Sequence, residues 1–307
     1  MIRGEKPLIS VILLTWNRCH SLAKAIECVL NQTFGNWELL VINDGSTDNT
    51  EKVVQSYAYE KRLRYLRNSS NRGSVFSRNH GISESTGTWV AILDDDDEWM
   101  FNKLEKQVGI IERYPDVGLV FSKAHFTDDE GNVILTVPRS AIPLDQPVSG
   151  FEIFRILALQ GNLIPHVSIM FKRTLALQFP YTPGFHVTDD WLLYLTLSSR
   201  NVWFYGLSEP LARINRAPTH IRLTSVIVDN LEQGLKVLNH LEDIVPPENQ
   251  QLLGKLLKNK ALANFLVRFT PKEDERKFYR KALLHYPFHL YAWKKWISTT
   301  IRQWKKK

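Results

Sequence analysis

The feature that most constrains the fold is an alternation of short apolar runs and helical segments over the first hundred residues. The runs span residues 8–14, 37–43, 63–66 and 88–93, and the first is almost wholly apolar, which predicts a strand buried on both faces. Helices are predicted between them, over residues 21–31, 48–54 and 74–85. The alternation predicts an α/β fold: a parallel sheet with helices on both faces and ligands at the carboxyl ends of its strands.

The remainder of the chain divides into two parts. Up to residue 224 we predict helices over 99–113 and 190–199 and strands over 117–121, 126–137, 167–171 and 202–214. From residue 225 the pattern is helical except at Pro246 and Pro247. We therefore expect an α/β domain, residues 1–224, and a basic, tryptophan-containing helical extension, residues 225–307.

The composition is that of a globular protein, with 44% hydrophobic and 23% charged residues in a chain of 307. The sequence contains no run of about 18 apolar residues and no signal-peptide core, so we expect a cytoplasmic protein. Cys19 and Cys28 are too few for a disulfide framework or a four-thiolate metal site.

The net charge of +7 suggests an anionic partner, but the charge is unevenly distributed. Residues 251–307 contain 15 lysines and arginines against three acidic residues, a net charge of +12, so residues 1–250 carry −5. The sequence shows no zinc-finger spacing and no RNA-binding signature, which argues against nucleic acid as the partner.

The end of the extension has an apolar stripe, formed at helical spacing by Trp293, Trp296, Ile297, Ile301 and Trp304 among lysines. Two interpretations remain open. The helix either packs on the rest of the chain or lies on an anionic membrane surface, as a peripheral contact on the inner face of the membrane.

Polar residues follow the first strand, where Thr15, Trp16, Asn17 and Arg18 lead into a helix. Such a turn presents free backbone N–H groups and the positive end of a helix dipole, and Arg18 adds a cation suited to phosphate. The alternative is a plain loop with a helix cap at Asn17 or Ser21. The turn alone does not separate these interpretations.

A second polar cluster, residues 43–48, follows the second strand. Asp44 places a carboxylate where a nucleobase imide or a ribose hydroxyl can donate to it, and Gly45 permits close approach of the backbone. A turn with a helix cap at Asp48 explains Asp48 but does not explain Asp44.

Five consecutive acidic residues, 94–98, follow the fourth strand. Two carboxylates about 5 Å apart repel by roughly 3 kcal/mol at an effective dielectric constant near 20. A solvated turn would relieve this repulsion, but the buried strand before it favours a divalent cation. Oxygen ligands select Mg²⁺ or Mn²⁺, and such sites combine one or two carboxylates with substrate phosphates.

Two later groups are ambiguous when taken alone. Asp189 and Asp190 open a helix, where acidic residues complement the helix dipole, but a carboxylate there can also serve as a general base. The basic residues Arg213, Arg216, His220 and Arg222 are either a solvated loop or the cations that a diphosphate leaving group requires.

Together these motifs resemble the family 2 glycosyltransferases, an inverting group with the GT-A fold. The resemblance covers residues 7–104 and rests on the turns at 15–18 and 43–48, on Asn71-Arg72-Gly73, on Arg78-Asn79-His80-Gly81 with Gly87, and on residues 93–99. It weakens from 105 to 222 and is poor afterwards. The resemblance implies a Rossmann-like nucleotide-binding sheet with a C-terminal helical extension.

The resemblance also implies roles for individual residues. Nucleotide binding, usually of UDP, would fall to Thr15, Trp16, Asn17, Arg18, Asp44, Gly45, Arg78, Asp94 and Asp95. The family's acidic motif places the Mn²⁺ or Mg²⁺ ligand at Asp96, although four successive aspartates leave the register open by one residue. The catalytic pair maps on Asp189 and Asp190, with Asp190 as the base, and Arg213, Arg216 and His220 would face the diphosphate.

The implied reaction is a single displacement from a nucleotide sugar, a UDP-sugar above all, to a hydroxyl of a glycan or lipid-linked acceptor in polysaccharide, glycolipid or cell-surface glycan synthesis. Two alternatives remain: a nucleotidyltransferase or other sugar-nucleotide enzyme on a similar sheet, and a non-catalytic carbohydrate- or membrane-binding module. A nucleotidyltransferase would be expected to have a long glycine-rich loop after the first strand, and this sequence lacks one. The acidic residues Asp44, Asp96 and Asp190 argue against the second.

Overall fold

Ten strands form one sheet in the part of the chain that the structure, a computed structural model, describes. The described residues are 6–128, 130–138, 141–215, 227–254, 259, 261–262, 266, 275–287, 289 and 292–297. In chain order the strands are β1 (Ile9–Thr15), β2 (Trp37–Asn43), β3 (Leu63–Arg67), β4 (Trp89–Asp94), β5 (Asp97–Trp99), β6 (Val117–Thr127), β7 (Val133–Val137), β8 (Pro147–Val148), β9 (Met170–Lys172) and β10 (Trp203–Asn215).

The sheet has a parallel half that positions the polar turns. Its order is β3-β2-β1-β4-β9-β6-β10-β5, with β7 paired to β6 and β8 to β10. Strands β3, β2, β1 and β4 are mutually parallel, whereas β9 is antiparallel to both of its neighbours. Because Thr15 is in register with Asn43, and Leu14 with Asp94, the turns after β1, β2 and β4 meet at one edge.

The helices of the described residues connect these strands. They are α1 (Cys19–Leu30), α2 (Thr50–Gln55), α3 (Ser74–Glu84), α4 (Lys103–Arg113), α5 (Gly150–Gln160), α6 (Arg173–Gln178), α7 (Asp189–Ser199), α8 (Ile227–Asn239), α9 (Leu241–Ile244) and α10 (Glu275–His285). Short 3₁₀ helices span His166–Ser168 and Pro247–Leu253.

Both faces of the sheet are buried, as the apolar runs predict. Val11 and Leu13 of β1 pack with α1 and α4 in one cluster, whereas Ile12 packs with α3, α5 and α7 in the other. Successive side chains of a strand point to opposite faces, so an apolar run without alternation requires helices on both sides. The predicted α/β class with helices on both faces is confirmed.

Several predicted boundaries are wrong. The helix predicted from residue 99 begins at Lys103, because Asp97–Trp99 pairs with β10 as β5. The run predicted as one bent strand, 126–137, contains the end of β6 and the separate strand β7, which pair as a hairpin. The predicted strand 167–171 begins as a 3₁₀ turn and becomes β9 only at Met170, and α5 and α6 were not predicted.

The extension shares its core with the rest of the chain. Val237 and Leu238 of α8 and Leu241 of α9 belong to the same apolar cluster as α5 and α7. Arg200, just beyond α7, donates to the carbonyl of Ile244 at 2.8 Å. Helix α9 is thereby joined to the helix that begins with Asp189 and Asp190.

A smaller cluster lies further along the extension, where Tyr279, Ala282 and Leu283 of α10 pack with Leu266 and Ala292. In the helical residues 292–297, Trp296 is half-buried against this cluster, whereas Trp293 and Ile297 remain 41% and 47% exposed. One side of the tryptophan stripe is therefore packed on the chain, while Ile301 and Trp304 lie outside the described residues.

Candidate active site

The turn after β1 is joined to the turn after β2. Asn17 has a left-handed backbone, with φ near 52°, and its side-chain oxygen accepts from Thr47 N–H at 2.8 Å. Its own N–H donates to Ser46 Oγ at 2.9 Å. The preceding Trp16 is 50% exposed, so its ring offers a flat face beside the joined turns.

Asp44 is 3% exposed and holds the loop that follows β3. Its Oδ1 accepts from Asn68 Nδ2 at 2.8 Å and from Arg72 N–H at 2.9 Å, and its Oδ2 accepts from Gly73 N–H at 2.8 Å. A carboxylate has about four acceptor positions, so one remains for a donor such as a nucleobase imide.

Gly45 explains how this loop comes so close. Its φ is +73°, and a Cβ on it would lie 2.5 Å from the backbone carbon of Ser70. Any other residue would displace the loop or strain the turn. The close approach that the sequence predicts at Gly45 is therefore made by the chain's own backbone, at Ser70.

The acidic turn after β4 is neutralised in part by the turn after β1. Arg18 Nη1 lies 3.0 Å from Asp95 Oδ1 and 2.9 Å from Asp96 Oδ2. Burial raises the pKa of Asp95 to about 7, although Arg18 opposes the shift. A cationic group thus already lies between the two aspartates where the sequence predicts a metal.

The same turn fits part of a divalent-metal site. The side-chain oxygens of Thr15 and Asp95 are buried next to each other, and every potential ligand atom here is an oxygen. Across the described residues, no three His, Cys, Asp or Glu side chains converge as a complete metal cluster. The turn therefore suits a cation that completes its coordination with substrate phosphates, with Asp96 and Asp95 as protein ligands.

Arg78 connects the acidic turn to Asp189, the first residue of α7. Its Nη1 lies 2.5 Å from Asp189 Oδ2 and its Nη2 lies 3.2 Å from Asp94 Oδ1. Burial alone would lower the pKa of Arg78, but the charges of Asp189 and Asp94 outweigh it and raise the pKa. The guanidinium therefore stays charged, and it ties β4 to the first turn of α7.

Asp190 differs from Asp189 in its partners. Its Oδ2 accepts from Asn162 Nδ2 at 2.6 Å and its Oδ1 from Trp191 N–H at 2.6 Å, both neutral donors. Burial and the charge of Asp189 raise the pKa of Asp190 above its ordinary value. The carboxylate is half-buried and is not one of Arg78's ion-pair partners.

A buried polar chain lies beside Arg78. His166 Nδ1 is 2.7 Å from Tyr194 Oη and its Nε2 is 3.2 Å from Tyr181 Oη. Burial, with Arg78 nearby, lowers the pKa of His166 to about 3, so the imidazole is neutral at physiological pH. The ring therefore supports the site sterically and by hydrogen bonds rather than by charge.

Of the predicted diphosphate residues, the structure describes Arg213. It is exposed on β10, in register with Glu98 of β5 and His125 of β6, which places it on the strand next to the acidic turn. Arg216, His220 and Arg222 lie outside the described residues.

Three residues of this site were not predicted: Asn68, Tyr181 and Asn162. Asn68 bridges Asp44 to Ser77 Oγ, which lies 2.7 Å from its Nδ2. Asn68 directly follows β3, so the rule that polar residues after parallel strands face a ligand would have found it. Tyr181 and Asn162 lie in irregular segments with no comparable local pattern.

Comparison with known proteins now decides the family. A family model described as Glycosyl transferase family 2 matches residues 10–176, which is more than half of the chain and runs from β1 into α6. The chain belongs to this family. The match includes the three turns and Arg78, whereas Asp189 and Asp190 lie beyond it.

Individual relatives agree with this family assignment. The Escherichia coli enzyme named UDP-Glc:alpha-D-GlcNAc-diphosphoundecaprenol beta-1,3-glucosyltransferase WfgD is 38% identical over 104 residues, which are 34% of this chain and 41% of the enzyme. Matches to other curated relatives span from 28% to 78% of the relative's own length. The chain thus spans less than half the length of several of its relatives.

Solved structures share the GT-A fold of this family 2 member. Residues 1–349 of Staphylococcus aureus TarS, in complex with UDP-GlcNAc, superpose with a TM-score of 0.61 at 16% identity, covering 96% of this chain and 89% of TarS. The mannosyltransferase PcManGT from Pyrobaculum calidifontis, in complex with GDP-Man and Mn²⁺, gives 0.53 at 14% identity, covering 99% and 89%. At these identities the likeness establishes the fold alone.

Proposed function

We propose that this chain transfers a glycosyl group from a UDP-sugar to an acceptor hydroxyl with inversion at the anomeric carbon. The observation that carries the proposal is the contrast within the acidic pair. Asp189 is neutralised by Arg78, whereas Asp190 accepts hydrogen bonds from two neutral donors, and burial beside the charge of Asp189 raises the pKa of Asp190 above its ordinary value. Asp190 is therefore the general base.

In this mechanism Asp190 accepts the proton of the acceptor hydroxyl as its oxygen attacks the anomeric carbon. The bond from that carbon to the diphosphate oxygen breaks, and the nucleoside diphosphate leaves from the opposite face. A base of this kind supplies roughly 10²- to 10⁴-fold in rate. Arg78 remains bound to Asp189 and holds the first turn of α7 beside β4.

The donor is proposed from the nucleotide side of the site. The remaining acceptor position of Asp44 suits the imide N–H of uracil, and the exposed ring of Trp16 suits stacking. The names of WfgD and of the TarS complex both specify UDP-sugars, whereas PcManGT was solved with GDP-Man. The WfgD name also favours a lipid-linked acceptor.

A divalent cation, Mn²⁺ or Mg²⁺, is proposed at Asp96 with Asp95. When bound it would neutralise charge on the diphosphate leaving group. The oxygen-only set of potential ligands and the buried Thr15 Oγ1 and Asp95 Oδ2 support this assignment.

A peripheral membrane contact is proposed for the extension, on the cytoplasmic side. The exposed Trp293 and Ile297 and the net charge of +12 over residues 251–307 support it. None of the helices in the described part of the chain is both long enough and apolar enough to cross a bilayer. The contact would therefore be interfacial.

The base assignment is tested by Asp190→Asn. We expect transfer to fall by about 10²- to 10⁴-fold, because the amide cannot accept the proton. Calorimetric affinity for UDP should stay unchanged, because Asp190 lies outside the nucleotide turns. Asp116→Asn, at an exposed aspartate far from the turns, is the control and should behave as wild type.

Two outcomes would contradict the proposed function. Normal turnover by Asp190→Asn would show that Asp190 is not the general base. Failure of the wild-type chain to release UDP from any UDP-sugar in the presence of Mn²⁺ would favour a non-catalytic binding module.

A further inference from the structure

The side chain of Asn162 contacts the proposed base from a different element. We propose that Asn162 is a positioning residue that orients the Asp190 carboxylate and keeps it ionised for proton transfer. This inference rests on the proposed function, in which Asp190 is the base. It concerns a residue inside the region that the family model matches, residues 10–176, at a turn where the sequence analysis identifies no motif.

The orientation of the Asn162 amide is determined by its two contacts. Its Oδ1 accepts from Ile164 N–H at 3.2 Å, so its Nδ2 must face the other way, toward Asp190 Oδ2 at 2.6 Å. An inverted amide would place its oxygen against the Asp190 carboxylate and its NH₂ group against the Ile164 N–H. Donation from Asn162 to Asp190 is therefore the one arrangement that satisfies both contacts.

The fold places this amide through the end of α5. Gly161 has φ of +82° and donates its N–H to the carbonyl of Leu157 at 2.9 Å, which ends the helix. The chain then turns at Asn162 toward the first turn of α7. Helices α5 and α7 pack side by side in one apolar cluster, which brings the exposed Asn162, in the turn after α5, next to the first turn of α7.

The charges around Asp190 explain why a donor is needed. Asp189 from α7 faces it with like charge, Arg78 from α3 is shared between Asp189 and Asp94, and Tyr181 and Tyr194 face it with phenol groups. Burial and Asp189 favour the protonated acid, whereas the Trp191 N–H and Asn162 favour the carboxylate. The Trp191 donor is backbone, so Asn162 is the contact that a substitution can remove.

The experiment compares the pH dependence of kcat/KM in Asn162→Leu, Asn162→Asp and wild type. The rate of an enzyme with a general base rises as that base loses its proton. In Asn162→Leu we expect the acidic limb to move up by about one pH unit, since a hydrogen bond to a charged group is lost. Because burial and the charge of Asp189 raise the pKa of Asp190 to about 7, the ionised fraction and with it the rate at pH 7 should fall about fivefold. KM for the donor should change less than about twofold, and much of the rate should return near pH 9.

Asn162→Asp separates positioning from a structural role. It keeps an oxygen that can accept from Ile164 N–H, so the turn should form, but it replaces the donor with a like charge. We expect its acidic limb to move further than that of Asn162→Leu. An acidic limb that coincides with that of wild type would overturn the proposal. It would show that Asn162 only shapes the turn, a role that an aspartate can also fill.

Asn249→Leu is the matched control. Asn249 Nδ2 donates to the carbonyl of Ser199 at 2.9 Å, at the opposite end of α7 from Asp190. Its loss should lower the melting temperature and leave the acidic limb in place. An equal limb shift in this variant would also overturn the proposal. If Asp190→Asn is inactive while Asn162→Asp matches wild type, the positioning role fails and the base assignment survives. If Asp190→Asn is active, the base assignment on which this inference rests fails.

Discussion

At the scale of residues, the acidic run shows how neighbours in sequence acquire different environments. Each acidic side chain of the run has a cationic or backbone partner drawn from a different element: Arg78 with Asp94, Arg18 with Asp95 and Asp96, Asn215 N–H with Asp97, and Lys24 with Glu98. The repulsion expected from the sequence is therefore relieved in part by the protein itself. The cations come from segments distant in the chain, which no local pattern reveals.

Asp96 is the residue at which the proposed metal site can be tested. In Asp96→Ala we expect the gain in UDP affinity on adding Mn²⁺ to be lost, because the proposed protein ligand is absent. Calorimetric titration of UDP with and without Mn²⁺ measures this directly. Glu98→Ala is the control, since Glu98 lies in the same turn but pairs with Lys24 at 2.5 Å. An Mn²⁺ effect of normal size in Asp96→Ala would contradict the assignment.

At the scale of elements, α3 determines where Arg78 lies. The helix crosses β1 and β2 at Gly81, where an added Cβ would lie 2.9 Å from Ile12 Cγ2 and 3.0 Å from Ile42 Cγ1. The close approach places Arg78, about one turn earlier on α3, between Asp94 at the end of β4 and Asp189 at the start of α7. A small residue on a buried helix face thus sets the position of a buried charge.

We expect Gly81→Leu to lower the free energy of unfolding by about 1–3 kcal/mol, because the side chain overfills the interface between α3 and the sheet. Transfer should fall as well, since α3 carries Arg78. Urea unfolding and turnover measure the two effects. In the control Gly109→Leu, where a Cβ meets nothing within 4 Å, stability should rise by about 0.5–1 kcal/mol. Unchanged stability in Gly81→Leu would show that α3 can move without cost.

At the scale of the whole molecule, charge and packing divide the chain differently. By charge, the net basic excess lies in residues 251–307 and the net acidic excess in residues 1–250. By packing, α8 and α9 share an apolar cluster with α5 and α7, and Lys236 of α8 donates to the carbonyl of Gly184 at 2.9 Å. The boundary at residues 224 and 225 remains a prediction, and α8 and α9 of the extension share their apolar core with α7, the helix that begins with Asp189 and Asp190.

The membrane contact is tested by flotation with vesicles that contain anionic lipid. We expect the full chain to float with them and the double variant Trp293→Ser/Ile297→Ser to float far less, because its exposed apolar side chains are gone. Leu177→Ser, at a 46% exposed leucine on α6, is the control. Equal flotation of the double variant and wild type would rule out this surface.

Much of the site was predictable because its polar residues end a strand or directly follow one. Thr15, Asp44 and Asp94 end or follow parallel strands whose apolar runs are visible in the sequence, and parallel strands bring their carboxyl ends to one edge. Asn68 follows the same rule. Local order along the chain therefore predicts which residues gather at the edge of the sheet.

By itself, then, the sequence determined the α/β class, the order of the polar turns and the family, because strand and helix periodicity and the residues of a turn are local properties. Tertiary structure alone decided the partners: Arg18 for Asp95 and Asp96, Arg78 for Asp189, and Asn162 for Asp190. These pairs join residues 28 to 111 positions apart. Which carboxylate is neutralised and which keeps its basicity depends on distances that arise only when helices pack on the sheet.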